Sequence, residues 1–379
     1  MRAPEVPRPD LADALLDRAR RGAPLLLTGP PGAGKTTLLL ELGEALEREG
    51  WIAVYLDLMG AASSPERFVS VALEALPASA FGRHLAQATE IRRLATAGRA
   101  HGVDAVLSLF GLWSSLDESG GRPVALLFDE ATEIRSLAYF AGLRHVDKPF
   151  GAALSARARG TILATSYPTA ASRLWAFEAR DVAPLAASAL APVLAAAGVA
   201  FEAAPLLAAS FGWPRYLRIL IEALPPGGDI AAAWAREMAP GGRLEVACRA
   251  TYEALLLRSR GYGMSKAVLA AVADEEGLNL TALVARVGRT PGAVRDYLHW
   301  LVGVDALRMV RKRYVFVDGM IREWVRLHAR GLRSSEAEVL AAARDVLGRG
   351  APPTPAPEAV TSEPHAVPVA RRDSLMEID

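Results

Sequence analysis

The stretch Gly29-Pro30-Pro31-Gly32-Ala33-Gly34-Lys35-Thr36-Thr37 constrains the fold more than any other part of this chain. It matches G-x-x-x-x-G-K-[ST], and its flanks are the ones the pattern requires. An apolar run at 24–28 precedes it, and helical spacing at 37–49 follows. The glycines let successive backbone N–H groups converge on an anion without Cβ clashes. The following helix turns its positive end to the same point. Such a strand–loop–helix unit needs a parallel sheet around it. Further apolar runs at 51–58, 123–128 and 161–165 supply the strands, with helical patterns such as 68–76 between them. Continuous apolar strands alternating with helices indicate an α/β chain whose parallel sheet is covered on both faces.

The residue types in the loop suit a nucleoside triphosphate. Lys35 is placed to reach the β- and γ-phosphates, and the Thr36 hydroxyl to take one magnesium position. The strand 124–128 ends in Asp129-Glu130, at the edge where α/β sheets hold ligands. Asp129 is expected to hold Mg2+, directly or through water, and Glu130 to orient and deprotonate the attacking water. A second acid after the metal ligand favours hydrolysis over binding alone. Thr165 and Ser166 end the next strand, where a polar side chain can contact the γ-phosphate or that water. Thr165 is taken as the third catalytic candidate, beside Lys35 and Glu130. The plainer alternatives are a glycine-rich turn, a solvated acid pair, and a strand-end turn before Pro168. Arg135, Arg144, Arg157, Arg159 and Arg173 lie in segments that could supply a transition-state arginine, and none stands out.

Composition bounds the rest. The 379 residues are 51% hydrophobic and 22% charged, enough for two or three globular domains. The net charge of +1 gives no overall attraction to nucleic acid, so any such attraction must be regional. Cys248 is the lone cysteine, which excludes an intrachain disulfide and a cysteine metal cluster and fits a reducing, cytoplasmic setting. Residues 1–10 have no apolar leader pattern, so no signal peptide is expected. Residues 182–201 are uncharged over a span-like length. They are mostly Ala, with Pro184 and Pro192 inside, and read as short buried helices rather than a membrane span.

Strand signals stop after about Asp181. The expected division is a core at 1–181, a helical lid at 182–242, a third unit at 243–333, and a linker helix and tail at 334–379. In the third unit, Leu280–Val287, a turn at Gly288-Arg289-Thr290 and residues 291–301 have helix-turn-helix rhythm, with Thr290 as N-cap and Pro291 at N1. Two short strands at Leu307–Val310 and 314–317, around the basic turn Arg311-Lys312-Arg313, would complete a winged helix. Residues 249–333 carry 15 Lys and Arg against 8 Asp and Glu. Arg295 on the second helix and Arg311, Lys312 and Arg313 on the wing are the candidate DNA contacts. A protein-docking role stays equally open. Residues 349–379, rich in Pro, Ala, Glu and Val, are not expected to build a core.

Together these residues resemble the archaeal-type ATPases within the STAND branch of AAA+ P-loop NTPases. The resemblance runs over about 5–333. It is carried by GPPGAGKTT at 29–37, LLFDE at 126–130, TILATS at 161–166 and Ser210-Phe211-Gly212-Trp213-Pro214, similar to the family's G-x-P motif. It ends on Arg313-Tyr314-Val315-Phe316-Val317-Asp318 with Ile321-Arg322-Glu323-Trp324. Gly319 departs from the proline usual after the Asp, a change at the start of the next helix. The resemblance implies a slow ATP-hydrolysing switch, with Pro214 near the nucleotide. It also implies a partner protein of unknown identity and a nucleotide-dependent oligomer. The alternative is an ATP-dependent DNA-binding regulator with negligible turnover.

Overall fold

The computed structural model describes residues 5–119, 121–199, 201–329 and 334–350. Strands β1 (Leu25–Thr28), β2 (Ile52–Asp57), β3 (Glu118–Ser119), β4 (Arg122–Asp129), β5 (Thr161–Thr165) and β6 (Glu178–Asp181) form the main sheet. Its order is β2-β4-β5-β1-β6, every one of these pairs parallel, with β3 added antiparallel to β4. This is the five-stranded parallel sheet of a P-loop NTPase. The sequence reading missed β6, and the reason is visible: Glu-Ala-Arg-Asp is exposed throughout, so the strand exists only because β1 offers it an edge.

Alternate strand residues feed two cores. Leu26, Val54, Leu126, Phe128 and Leu163 face one layer, joined by an aromatic cluster of Phe68, Phe110, Trp113 and Phe150. Leu25, Leu27, Leu127, Ile162 and Ala164 face the other. The second core does not end at the sheet. It runs on through Tyr216 and Trp234 to Leu298, Trp324 and Val346. The helices after β6 and the C-terminal unit therefore share apolar burial with the core rather than hanging from linkers. The helix Glu336–Gly348, expected as a linker, packs back on Ile230–Met238 and Ala203–Ser210.

Among its described residues, the uncharged stretch at 182–201 forms one short helix, Ala187–Ala196, with Pro192 inside. No described helix is long and apolar enough to cross a membrane. In the C-terminal region, Leu280–Val287 and Pro291–Gly303 are helices, and Thr290 caps the second by accepting from the Ala293 N–H. Strands β7 (Leu307–Val310) and β8 (Arg313–Phe316) form a hairpin. Its loop is two residues, Arg311 and Lys312, both left-handed (φ 49° and 62°), a turn backbone whose twist matches that of the flanking strands. Arg313, expected in the turn, instead pairs with Val310 inside the strand. Gly319 starts its helix as expected. A Cβ there would meet the Phe211 ring at 2.4 Å, so glycine makes room for that ring. The expected unfolded tail lies outside the described residues from 351 on.

Candidate functional site

The site sits at the C-terminal edge of the sheet. Gly32 and Gly34 take φ of 87° and 97°, a backbone that favours glycine. Gly34 caps the helix Lys35–Arg48 with no side chain, leaving the first helical N–H groups aimed at the loop's hollow. Lys35 is 4% exposed, and its ammonium donates to the carbonyls of Gly29 (2.8 Å) and Pro30 (3.1 Å) and to Ser166 Oγ (2.9 Å). Burial lowers the Lys35 pKa, and the nearby Glu130 and Asp129 pull it back up. The ammonium is already curled over the loop, the posture from which it can transfer its donors to phosphate oxygens. Thr37 is exposed on the helix beyond it.

The acid pair stands opposite. Thr36 Oγ1 donates to Asp129 Oδ2 at 2.6 Å, and Tyr55 Oη donates to the same oxygen at 3.0 Å. The burial and the neighbouring carboxylates push the Tyr55 phenol up, so it stays a donor. One hydroxyl and one carboxylate oxygen in contact make a hard, oxygen-only donor set. That chemistry fits a magnesium ion completing its shell with water and phosphate. Among the described residues no group of three or more His, Cys, Asp or Glu could hold a metal alone, so the phosphates would have to share the ion. Glu130 adopts φ 44°, ψ 50°, uncommon for a non-glycine residue, where the chain turns from β4 into Ala131–Tyr139. Its carboxylate accepts from the Ser166 N–H at 2.9 Å and from the Ser166 hydroxyl, and lies 3.9 Å from Lys35 Nζ.

Strand order explains why Ser166 is central. β5 lies between β1, which carries the loop, and β4, which carries the acids. The residue just past β5 therefore falls between Lys35 and Glu130. Thr165 does not reach them: its Oγ1 is paired with Thr132 Oγ1 at 3.0 Å and accepts from the Tyr167 N–H. With no exposure, it braces the turn after Glu130 rather than facing the site. Alternation along a strand puts neighbours on opposite sides, and the sequence could not say which of the two faced the acids.

Pro214 begins the helix Pro214–Ala223, and its ring lies 3.8 Å from where a Gly34 Cβ would be. Arg215 lies closer. A Cβ on Gly32 would meet the Arg215 Cβ at 2.6 Å, and the Arg215 N–H donates to the Gly32 carbonyl at 3.3 Å. Its guanidinium reaches Thr251 Oγ1 at 3.3 Å. Arg8 reaches the loop from the other side, donating to the carbonyls of Ala33 and Ala183. Neither arginine was expected at the site, although Arg215 directly follows the G-x-P residues that pointed there.

None of the five arginines considered earlier reaches the acid pair. Arg157 is 2% exposed and donates to the carbonyls of Trp113, Leu116 and Val124, a structural role. Arg159 stacks on Trp51, Arg173 lies beside Gly303, and Arg135 and Arg144 are exposed. The arginine that does approach is Arg258, at the end of Arg243–Arg258. It pairs with Glu133 and lies 4.1 Å above the Tyr167 ring.

A phosphate-cradling loop, a buried lysine and a strand-end acid pair on this sheet define the chain as a P-loop NTPase in fold. Residues 10–145 match the family described as AAA ATPase domain. The structure is similar to that of a Walker-type ATPase of Pyrococcus abyssi, with a TM-score of 0.62 at 14% identity over 85% of this chain and 96% of that one. It is less similar to the ORC2 protein of Aeropyrum pernix in ADPNP–ADP complexes, with a TM-score of 0.41 at 12% identity over 92% and 96%. No curated protein matches the chain.

Proposed function

We propose that the chain binds ATP with Mg2+ and hydrolyses it slowly, as a STAND-like switch whose lid (182–242) and C-terminal winged-helix unit (243–333) respond to the nucleotide. The observation that carries this reading is the convergence of Lys35, Thr36, Asp129 and Glu130 on one hollow, with Arg215 of the lid against the same loop. Mg2+, held by Thr36 and Asp129, would draw charge off the phosphates. In the step itself, water attacks the γ-phosphorus, its proton goes to Glu130, and the bond to the β-phosphate oxygen breaks to leave ADP. Lys35 and the loop N–H groups hold the oxygens on which charge builds. Pro214 and Arg215 sit where a bound phosphate tail changes their contacts, so occupancy can be read by the lid and, through Thr251, by the C-terminal unit. The output is a binding event with a protein partner or a further copy of the chain.

The test is ATP calorimetry together with phosphate release on the full chain. Wild-type binding with Mg2+-dependent turnover supports the reading, and absence of ATP binding removes it.

A second reading, an ATP-dependent DNA-binding regulator, is favoured by one observation: Arg289, Arg295, Arg308, Arg311 and Lys312 are all exposed on the helix-turn-helix and hairpin. Arg286 and Arg313 are partly committed, to Glu275 and to the Gly277 carbonyl. A titration of random duplex at low salt distinguishes the readings. An unshifted duplex at micromolar protein, with and without ATP, leaves the unit as a protein-docking surface.

A further inference from the structure

The four residues after β5, Ser166-Tyr167-Pro168-Thr169, are held from both ends. At one end Ser166 closes on the catalytic side. Its hydroxyl donates to Glu130 Oε1, its N–H donates to Glu130 Oε2 at 2.9 Å, and its oxygen accepts from Lys35 at 2.9 Å. Both oxygens of the carboxylate expected to take the water's proton are thereby engaged with one serine.

At the other end the segment is held by the C-terminal unit, at two separate places. Arg258 lies 4.1 Å over the Tyr167 ring while pairing with Glu133, three residues past Glu130. Asp305, in the turn before β7, accepts from the Thr169 hydroxyl at 2.6 Å and from the Thr169 N–H at 3.1 Å. Asp305 is in a left-handed backbone with φ 58°, and burial lifts its carboxyl to about 6 against the pull of the Thr169 donors. Both the backbone and the side-chain donor of Thr169 are thus tied to one carboxylate of the C-terminal unit.

We infer that the segment 166–169 is a grip worked by the C-terminal unit: with Arg258 and Asp305 in place, Ser166 holds the Glu130 carboxylate away from the attacking water, and hydrolysis speeds up when the unit lets go. Ser166, Arg258 and Asp305 are positioning residues, since Arg258 and Asp305 act through Ser166 and Ser166 acts through Glu130. The inference rests on the reading of Glu130 as the base. It adds a direction to the switch, because a partner that pulls the C-terminal unit off residues 166–169 would raise turnover rather than lower it.

The experiment is steady-state ATP hydrolysis on the full chain, with kcat and KM separated. Arg258→Ala and Asp305→Ala should each raise kcat about 5- to 10-fold, the lower part of the usual range for coupling between sites, with KM little changed. Arg258→Lys keeps the charge beside Glu133 and should fall between wild type and Arg258→Ala. Ser166→Ala should raise kcat at least as far, and adding Arg258→Ala to it should bring no further gain, because both act on the same hold. Amide exchange at Ser166 and Thr169 should quicken in Arg258→Ala.

A kcat that stays level or drops in Arg258→Ala and Asp305→Ala, with melting temperatures near wild type, overturns the inference and makes the contacts supports of the active form. If the two variants lose their fold, Ser166→Ala decides: a lower kcat there shows that Ser166 orients Glu130 productively. Glu130→Gln separates the two levels. If it hydrolyses like wild type, the reading of the base fails. If it is inactive while Arg258→Ala shows no rise, only the grip fails.

Discussion

The nucleotide end and the basic hairpin both combine left-handed backbone with cations, yet they use them in opposite ways. At the loop, left-handed Gly32 and Gly34 let the chain fold back over Lys35, which is 4% exposed, and its ammonium donates to the Gly29 and Pro30 carbonyls and to Ser166 Oγ, with the Glu130 carboxylate a little farther off. At the hairpin, Arg311 and Lys312 are themselves the left-handed residues, and both point into solvent. The first region concentrates charge where a single anion can sit in one geometry. The second spreads charge over an open surface, which attracts polyanions without fixing one. A buried, convergent site is therefore expected to fail abruptly when one residue changes, and an exposed array only gradually.

The largest effect should come from Glu130→Gln. The amide keeps the size of the side chain but cannot take the water's proton, so kcat should fall by about 10²–10⁴-fold with ATP affinity kept. Phosphate release at the wild-type rate would remove Glu130 as the base. Next is Lys35→Ala, which removes a charge-assisted contact of about 2–3 kcal/mol, or roughly 30–150-fold in ATP Kd. Calorimetry that finds the affinity unchanged would count against a convergent site altogether. Gly32→Ala should lower the melting temperature by a few degrees. It strains a backbone at φ 87° and drives a methyl into the Arg215 Cβ, at about 1–2 kcal/mol for the left-handed conformation alone.

The smallest effect belongs to the hairpin. If it meets DNA, neutralising Arg311, Lys312 and Arg313 together should weaken binding on all sequences alike. The logarithmic salt slope should become shallower by about 0.9 per lost phosphate contact. Arg313 already donates to the Gly277 carbonyl, so a change nearer two contacts than three is the sharper expectation. Arg295, exposed on the preceding helix, should instead alter sequence preference.

How much was legible beforehand differs between the two regions for the same physical reason. The loop and the acid pair are local: the glycine spacing, the apolar strand and the helix that follows are contiguous, so short-range sterics and backbone hydrogen bonding specify them. The hairpin was legible in outline, but its turn was placed one residue long, because register depends on cross-strand pairing rather than on the run of basic residues. Strand β6 left no apolar signal at all, as it lies at an exposed edge.

What the chain's linear order determined is the phosphate loop, the strand-end acids, the four apolar strands and the helix-turn-helix rhythm, each encoded within a window of a few turns. What only the tertiary structure decided is which side chains meet there. Ser166 rather than Thr165 faces Glu130 because β5 lies between β1 and β4. Arg215 rests on Gly32 because the helix Pro214–Ala223 shares its apolar core with the sheet. Arg258 and Asp305 reach residues 166–169 because the same core continues beneath the C-terminal unit. Contacts between residues far apart in the chain depend on the packing of whole elements, and no local pattern in the sequence records them.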